Sequence, residues 1–172
     1  MNTTHPSPLE RLKAGNRRFV SGQRAADPEE PGHRQELTGG QHPYAIVLTC
    51  ADSRVVPEFI FNARLGELFV VRVAGNVPNP SSLASIEYAV AQLGVKQVVV
   101  MGHSSCGAVG AAVQGGDAGP NLNHLVSFIA PAAQAHPGGS VDDVGRENVR
   151  NSVRSLVESS DILASAAADG SL

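Results

Sequence analysis

Ala45-Ile46-Val47-Leu48-Thr49, followed directly by Cys50-Ala51-Asp52-Ser53-Arg54, is the stretch that decides the reading of this chain. The first five residues form a nearly continuous apolar run. That pattern suits a parallel strand covered on both faces, not a half-exposed strand of alternating polarity. The next five put a thiol, a carboxylate and a guanidinium into the turn that leaves the strand. Open α/β sheets keep their sites at that carboxyl edge.

Outward from this stretch the same rhythm repeats. Residues 57–61 suit a short helix, and Leu68-Phe69-Val70-Val71-Arg72-Val73 reads as a second strand broken by Gly75-Asn76. Residues 82–93 carry Leu83, Ile86, Val90 and Leu93 at helical spacing, with Gly94 in the capping position. Residues 97–101 form a third strand that runs through Gly102 into His103-Ser104-Ser105-Cys106, and residues 107–114 resume a helical pattern. Residues 121–135 read as helix, kinked or restarted at Pro131. After a loop at 136–140, an amphipathic helix from Glu147 carries Val149, Val153, Leu156 and Val157, and Ser160-Asp161 caps a last one through Ala168. Upstream, residues 8–20 form an amphipathic helix with Leu9, Leu12, Phe19 and Val20 approximating one face. Asp27-Pro28-Glu29-Glu30-Pro31-Gly32 is irregular, and Gly39-Gly40 ends any short helix over 34–37. The expected fold is α/β, a central and mostly parallel β-sheet flanked by helices. It forms one domain over residues 1–172, with an N-terminal helical arm at 8–38 and a core at 44–172.

The totals narrow the function. A chain of 172 residues suits one domain with a real core. A net charge of -3 with scattered basic residues argues against nucleic acid or an anionic membrane as partner. No apolar run approaches the ~20 residues of a membrane span, and Met1-Asn2-Thr3-Thr4-His5-Pro6 has no export-signal character. The expected location is the cytoplasm, where the only two cysteines are better used on a metal than in a disulfide.

Cys50, His103 and Cys106 supply two thiols and an imidazole at two neighbouring strand ends. Zinc is the natural tenant, and three protein ligands describe a catalytic site, because a closed structural one needs a fourth. Two thiolates cancel the formal charge of the ion and weaken it as a Lewis acid. Asp52 could accept a hydrogen bond from zinc-bound hydroxide or itself take the fourth position. Arg54 is the clamp that would keep the carboxylate ionised and turned away from the metal. Taken singly, each residue has a plainer reading: a buried cysteine as a small hydrophobe, a satisfied histidine, a surface ion pair. Their joint placement at strand ends favours the metal site.

The two segments Cys50-Ala51-Asp52-Ser53-Arg54 and Gly102-His103-Ser104-Ser105-Cys106-Gly107 resemble the paired signatures of the β-class carbonic anhydrases. Gly66-Glu67-Leu68-Phe69-Val70-Val71-Arg72-Val73-Ala74-Gly75-Asn76 and Ser85-Ile86-Glu87-Tyr88-Ala89-Val90 are similar to further family segments in order and spacing. The resemblance implies one Zn2+ per chain on Cys50, His103 and Cys106, a catalytic Asp52–Arg54 dyad, and reversible hydration of carbon dioxide to bicarbonate and a proton by zinc-bound hydroxide. It assigns a substrate pocket to Gln41, Phe69, Ala74, Tyr88 and Gly107. It also implies a homodimer or higher homo-oligomer whose sites lie at the subunit interface, with the N-terminal helix extending over the partner subunit. The same apolar stripe of that helix could instead pack on its own core.

Two departures from the family pattern stand out. Val47 and Thr49 replace the Trp and Gly of a bicarbonate-responsive regulatory site found in some bacterial members, so that regulation is expected to be absent. The sequence also stops at Gly170-Ser171-Leu172, before a further strand that the family normally has. No proton shuttle stands out, and His42 beside Pro43 reads as a solvated loop residue. Two alternatives remain open from the sequence. One is hydrolysis of carbonyl sulfide or carbon disulfide, linear isosteres of carbon dioxide, on the same scaffold. The other is a catalytically impaired, zinc-stabilised structural or binding module.

Overall fold

The computed structural model describes residues 6–23 and 32–172, so most of the irregular segment at 27–32 lies outside the described residues. In chain order the helices and strands are α1 (Pro8–Val20), α2 (His33–Glu36), β1 (Ala45–Thr49), α3 (Pro57–Ile60), β2 (Leu68–Arg72), α4 (Pro80–Leu93), β3 (Val98–Met101), α5 (Gly107–Gln114), α6 (Pro120–Ser127), α7 (Ala130–Ala135), α8 (Val141–Glu158) and α9 (Asp161–Ala168).

Among the described residues, three strands form a parallel sheet in the order β2-β1-β3. Register pairs Ala45 with Leu68 and Thr49 with Arg72 on one side, and Ile46 with Val98 and Thr49 with Met101 on the other. The chain leaves β1 for one neighbour and then crosses back over it to reach the other. The loops after β1 and β3 therefore part at a topological switch point, where such sheets form their crevice. All five residues of β1 are buried, as its apolar run requires of a central strand. The polar exception, Thr49, is satisfied by donating its hydroxyl to Met101 O at 2.9 Å.

One core lies on the α4 side of the sheet, where Ile46, Leu48 and Val71 meet Ile86, Ala89, Leu156 and Leu163. Each fully buried aliphatic side chain there contributes about 1.5–3 kcal/mol. A second cluster lies at the carboxyl edge of the sheet and contains Cys50, Val77, Cys106, Val109, Ile129, Ala132 and Val144. Both cysteines thus stand in apolar surroundings, 4% and 3% exposed.

Helix α1 begins with a capping box. The Glu10 N–H donates to Ser7 Oγ at 3.3 Å, and the Ser7 N–H donates to the Glu10 carboxylate at 2.7 Å. Its apolar stripe divides. Leu12 is buried, Gly15 backs directly onto the Phe61 carbonyl, and Asn16 donates to Ile60 O at 3.2 Å. Leu9 and Phe19 stay 41% and 49% exposed.

Residues 121–135 restart at Pro131 as expected, giving two helices with that proline, which has no N–H, in the first turn of α7. Other boundaries differ from the sequence expectation. Helix α8 starts at Val141, six residues before Glu147, capped by Ser140 Oγ, which accepts the Asp143 N–H at 3.1 Å. Helix α4 starts at Pro80 under an Asn79 cap. No described helix is long and apolar enough to cross a membrane.

Candidate metal centre

The turn after β1 carries Cys50, and the turn between β3 and α5 carries His103 and Cys106. Parallel pairing of β1 with β3 brings the two turns together. One ligand atom from each residue lies within 4.8 Å of the others, and the two sulfurs are 3.9 Å apart. With zinc–sulfur bonds of about 2.3 Å, tetrahedral geometry puts two ligand sulfurs about 3.8 Å apart, so the spacing fits. His103 Nδ1 lies 2.9 Å from Ser104 O. A carbonyl only accepts, so Nδ1 carries the proton and Nε2 presents its lone pair. That Nε2 is buried and has no hydrogen-bond partner among the described residues. A buried imidazole nitrogen without a partner, facing two thiols, fits a soft divalent cation such as zinc. Burial pushes the Cys106 thiol above its ordinary value, against the N–H groups of Val109 and Ala108, which lower it. A bound cation is what would favour the thiolate there.

Asp52 is not part of this cluster. Its Oδ1 accepts from Arg54 Nε and from the Arg54 N–H, each at 2.9 Å, and its Oδ2 accepts from Arg54 Nη2 at 2.8 Å. This clamp holds the Asp52 carboxyl well below the usual carboxylate range and raises the Arg54 guanidinium above its own. Oδ2 nevertheless stays beside the cluster, 3.9 Å from His103 Nε2.

Other groups support the two turns, and their types gave little sign of it in the sequence. Arg72, the lone charge closing the apolar run of β2, donates Nε–H to Cys50 O at 3.0 Å and Nη2–H to Asp52 O at 2.6 Å. Asp142 at the start of α8 accepts the Ser105 N–H at 2.9 Å, and Ser105 has φ +52°. The Gly75 N–H donates to Cys50 Sγ at 3.3 Å. Gly75 has φ +71°, and a Cβ there would stand 2.6 Å from Ile129 Cδ1 and 3.3 Å from Ala108 Cβ. Gly75→Ala combines left-handed strain with overpacking. It is expected to cost about 2–4 kcal/mol of unfolding free energy in a denaturant titration.

The remaining candidates divide into two groups. Ala74 and Gly107 adjoin the ligands, Ala74 next to Gly75 and Gly107 next to Cys106. Gln41, Phe69 and Tyr88 do not converge on them. Gln41 is exposed and precedes β1, at the opposite end of the strand from Cys50. Phe69 pairs with Ile46, roughly four strand residues or about 13 Å short of Cys50. Tyr88 lies on α4, half exposed, with its ring 6.4 Å from that of Phe69. His42 is exposed in the loop before β1.

A family model described as carbonic anhydrase matches residues 45–172. Carbonic anhydrase 2 of Mycobacterium tuberculosis is 39% identical over 178 residues, a match covering 99% of this chain and 86% of that protein. The carbonic anhydrase of Mycolicibacterium smegmatis is 39% identical over 166 residues, covering 92% of this chain and 81% of that protein. Among solved structures, a tetrameric β-carbonic anhydrase of Sordaria macrospora superposes with a TM-score of 0.76 at 26% identity, covering 95% of this chain and 87% of that one. With its parallel sheet, its paired ligand turns and these likenesses in sequence and structure, the chain belongs to the β-class carbonic anhydrase family.

Proposed function

We propose that the chain, as one domain, catalyses the reversible hydration of carbon dioxide to bicarbonate and a proton, with Cys50, His103 and Cys106 as zinc ligands. The observation that carries this reading is the meeting of two buried thiols and an unpartnered imidazole nitrogen at one sheet edge, with a clamped carboxylate beside them. When bound, zinc supplies the Lewis acidity that makes a water molecule nucleophilic near neutral pH. Asp52 Oδ2 accepts a hydrogen of the attacking water and so turns a lone pair toward the carbon of the substrate. Arg54 fixes the plane of that carboxylate through three donors. Ala74 and Gly107 present little or no side chain beside the ligands, which suits a small, linear, uncharged substrate.

A second copy of the chain supplies Gln41, Phe69 and Tyr88 to each site. Their distance from the ligands within one chain and the exposed Leu9 and Phe19 on α1 support a homodimer or larger assembly. The two free thiols suit a reducing, cytoplasmic setting.

The decisive experiment measures carbon dioxide hydration from pH 6.5 to 9 on a preparation of known zinc content. The expected result is about one zinc per chain and a rate that rises with pH and disappears on chelation. A buffer-level rate at full zinc occupancy would overturn the proposal in favour of a zinc-stabilised binding module. Faster turnover of carbonyl sulfide on the same preparation would reassign the substrate.

A further inference from the structure

Helix α8 buries two polar side chains for which the ligand set itself has no use. Asn148 and Ser152, four residues apart and so on one face of the helix, are 1% and 3% exposed. Burying an amide or a hydroxyl is costly unless it finds a partner. Both find theirs on the same short loop after β2. Asn148 Nδ2–H donates to Gly75 O at 2.8 Å, and Ser152 Oγ–H donates to Asn76 O at 3.3 Å. Only the first acts on a residue that touches a candidate ligand, since the Gly75 N–H points at Cys50 Sγ, 3.3 Å away.

We propose that Asn148 is a positioning residue of the metal centre, which by anchoring the Gly75 carbonyl aims the Gly75 N–H at the Cys50 sulfur. Gly75 stands in a left-handed conformation, boxed in by Ile129 and Ala108, so its carbonyl and its N–H have little freedom to move independently. Its carbonyl receives the Asn148 bond across 73 positions of sequence. A hydrogen bond donated to a thiolate draws electron density from sulfur. It would leave a zinc ion on Cys50 with more of its positive charge, offsetting the weakness of a two-thiolate site as a Lewis acid. This inference rests on the zinc reading proposed above.

The test uses Asn148→Leu, near in shape but unable to donate, with Ser152→Ala as the control that removes the neighbouring bond and leaves Gly75 alone. Each folded protein is loaded with cobalt(II), and the thiolate-to-cobalt charge-transfer band is recorded alongside metal stoichiometry and affinity. Asn148→Leu is expected to bind one equivalent with a band shifted to longer wavelength, as a sulfur relieved of its hydrogen bond is the stronger donor. Ser152→Ala is expected to keep the wild-type band. An unshifted band in folded Asn148→Leu, or the same shift in both variants, overturns the inference. If Asn148→Leu does not fold, wild-type protein loaded with cadmium-113 decides. A scalar coupling between the metal and the Gly75 amide proton supports the bond to sulfur, and its absence refutes it. Failure of wild-type protein to bind any metal would instead overturn the zinc reading itself, a distinct outcome.

Discussion

Cys106→Ser is expected to leave a folded chain that no longer retains zinc. The residue is 3% exposed and occupies the N-cap position of α5, and its sulfur stands 3.9 Å from that of Cys50. Serine offers a hard oxygen that stays protonated at neutral pH, on a shorter bond from Cβ, so it neither reaches nor suits the ion as a thiolate does. Changing a residue that merely orients a ligand costs ~10–100-fold in metal affinity, and losing a ligand costs more. After dialysis against a weak chelator, the expected content is below ~0.1 zinc per chain, against about one in wild type, with hydration activity lost in parallel. Full occupancy in the variant would remove Cys106 from the ligand set. The buried serine hydroxyl replaces a sulfur in an apolar cluster and destabilises the fold by about 1–3 kcal/mol, so the circular dichroism spectrum must be checked first.

The sequence exposed this much of the site because its chemistry rides on strand ends. A nearly continuous apolar run before Cys50 and an apolar run before Gly102 mark two parallel strands, β1 fully buried and β3 partly so. Whatever follows such strands must appear at the same sheet edge, and β1 and β3 do lie side by side there. The Asp52–Arg54 clamp was legible for a similar reason, since two residues in one tight turn have few other partners. What was hidden acts through groups without a side-chain signature. The N–H of Gly75 on the Cys50 sulfur, the left-handed Ser105 and the carbonyl acceptors of Arg72 belong to the backbone. Asn148 and Ser152 look like solvent-facing residues of an amphipathic helix until the fold turns them inward. The apolar periodicity marks α8 only from Glu147, whereas its true start lies at Val141, where Ser140 followed at three residues by Asp143 is a capping signal. Gln41, Phe69 and Tyr88 show the limit from the other side. Family likeness points to them, yet no pattern within one chain brings them to the ligands.

Asp52→Asn is expected to separate zinc binding from turnover. Asp52 lies outside the cluster formed by Cys50, His103 and Cys106, so the variant should keep about one zinc per chain. Its hydration rate should fall roughly 10²–10³-fold, within the range for loss of a positioned acid–base group. The reason is orientation. Arg54 lowers the Asp52 pKa, but an ordinary aspartate near 3.9 is already ionised at pH 7, so the shift adds almost no carboxylate at the working pH. What the guanidinium fixes is the plane of the carboxylate, with Oδ2 aimed beside the ligands and both oxygens restricted to accepting. Asparagine keeps the shape but turns one oxygen into a donor. It meets Arg54 with N–H against N–H, or faces the attacking water with a hydrogen where an acceptor is needed. Arg54→Lys probes the same geometry, because an ammonium cannot hold a carboxylate through a fork. It should lower the rate while Asp52 stays ionised down to about pH 4. The shape of the pH profile from 6.5 to 9 should not change, because an aspartate at its ordinary pKa is still fully ionised there. Stopped-flow hydration with a pH indicator on zinc-verified protein checks both variants. An Asp52→Asn rate within twofold of wild type would show that the carboxylate is a structural partner of Arg54 and takes no part in the reaction.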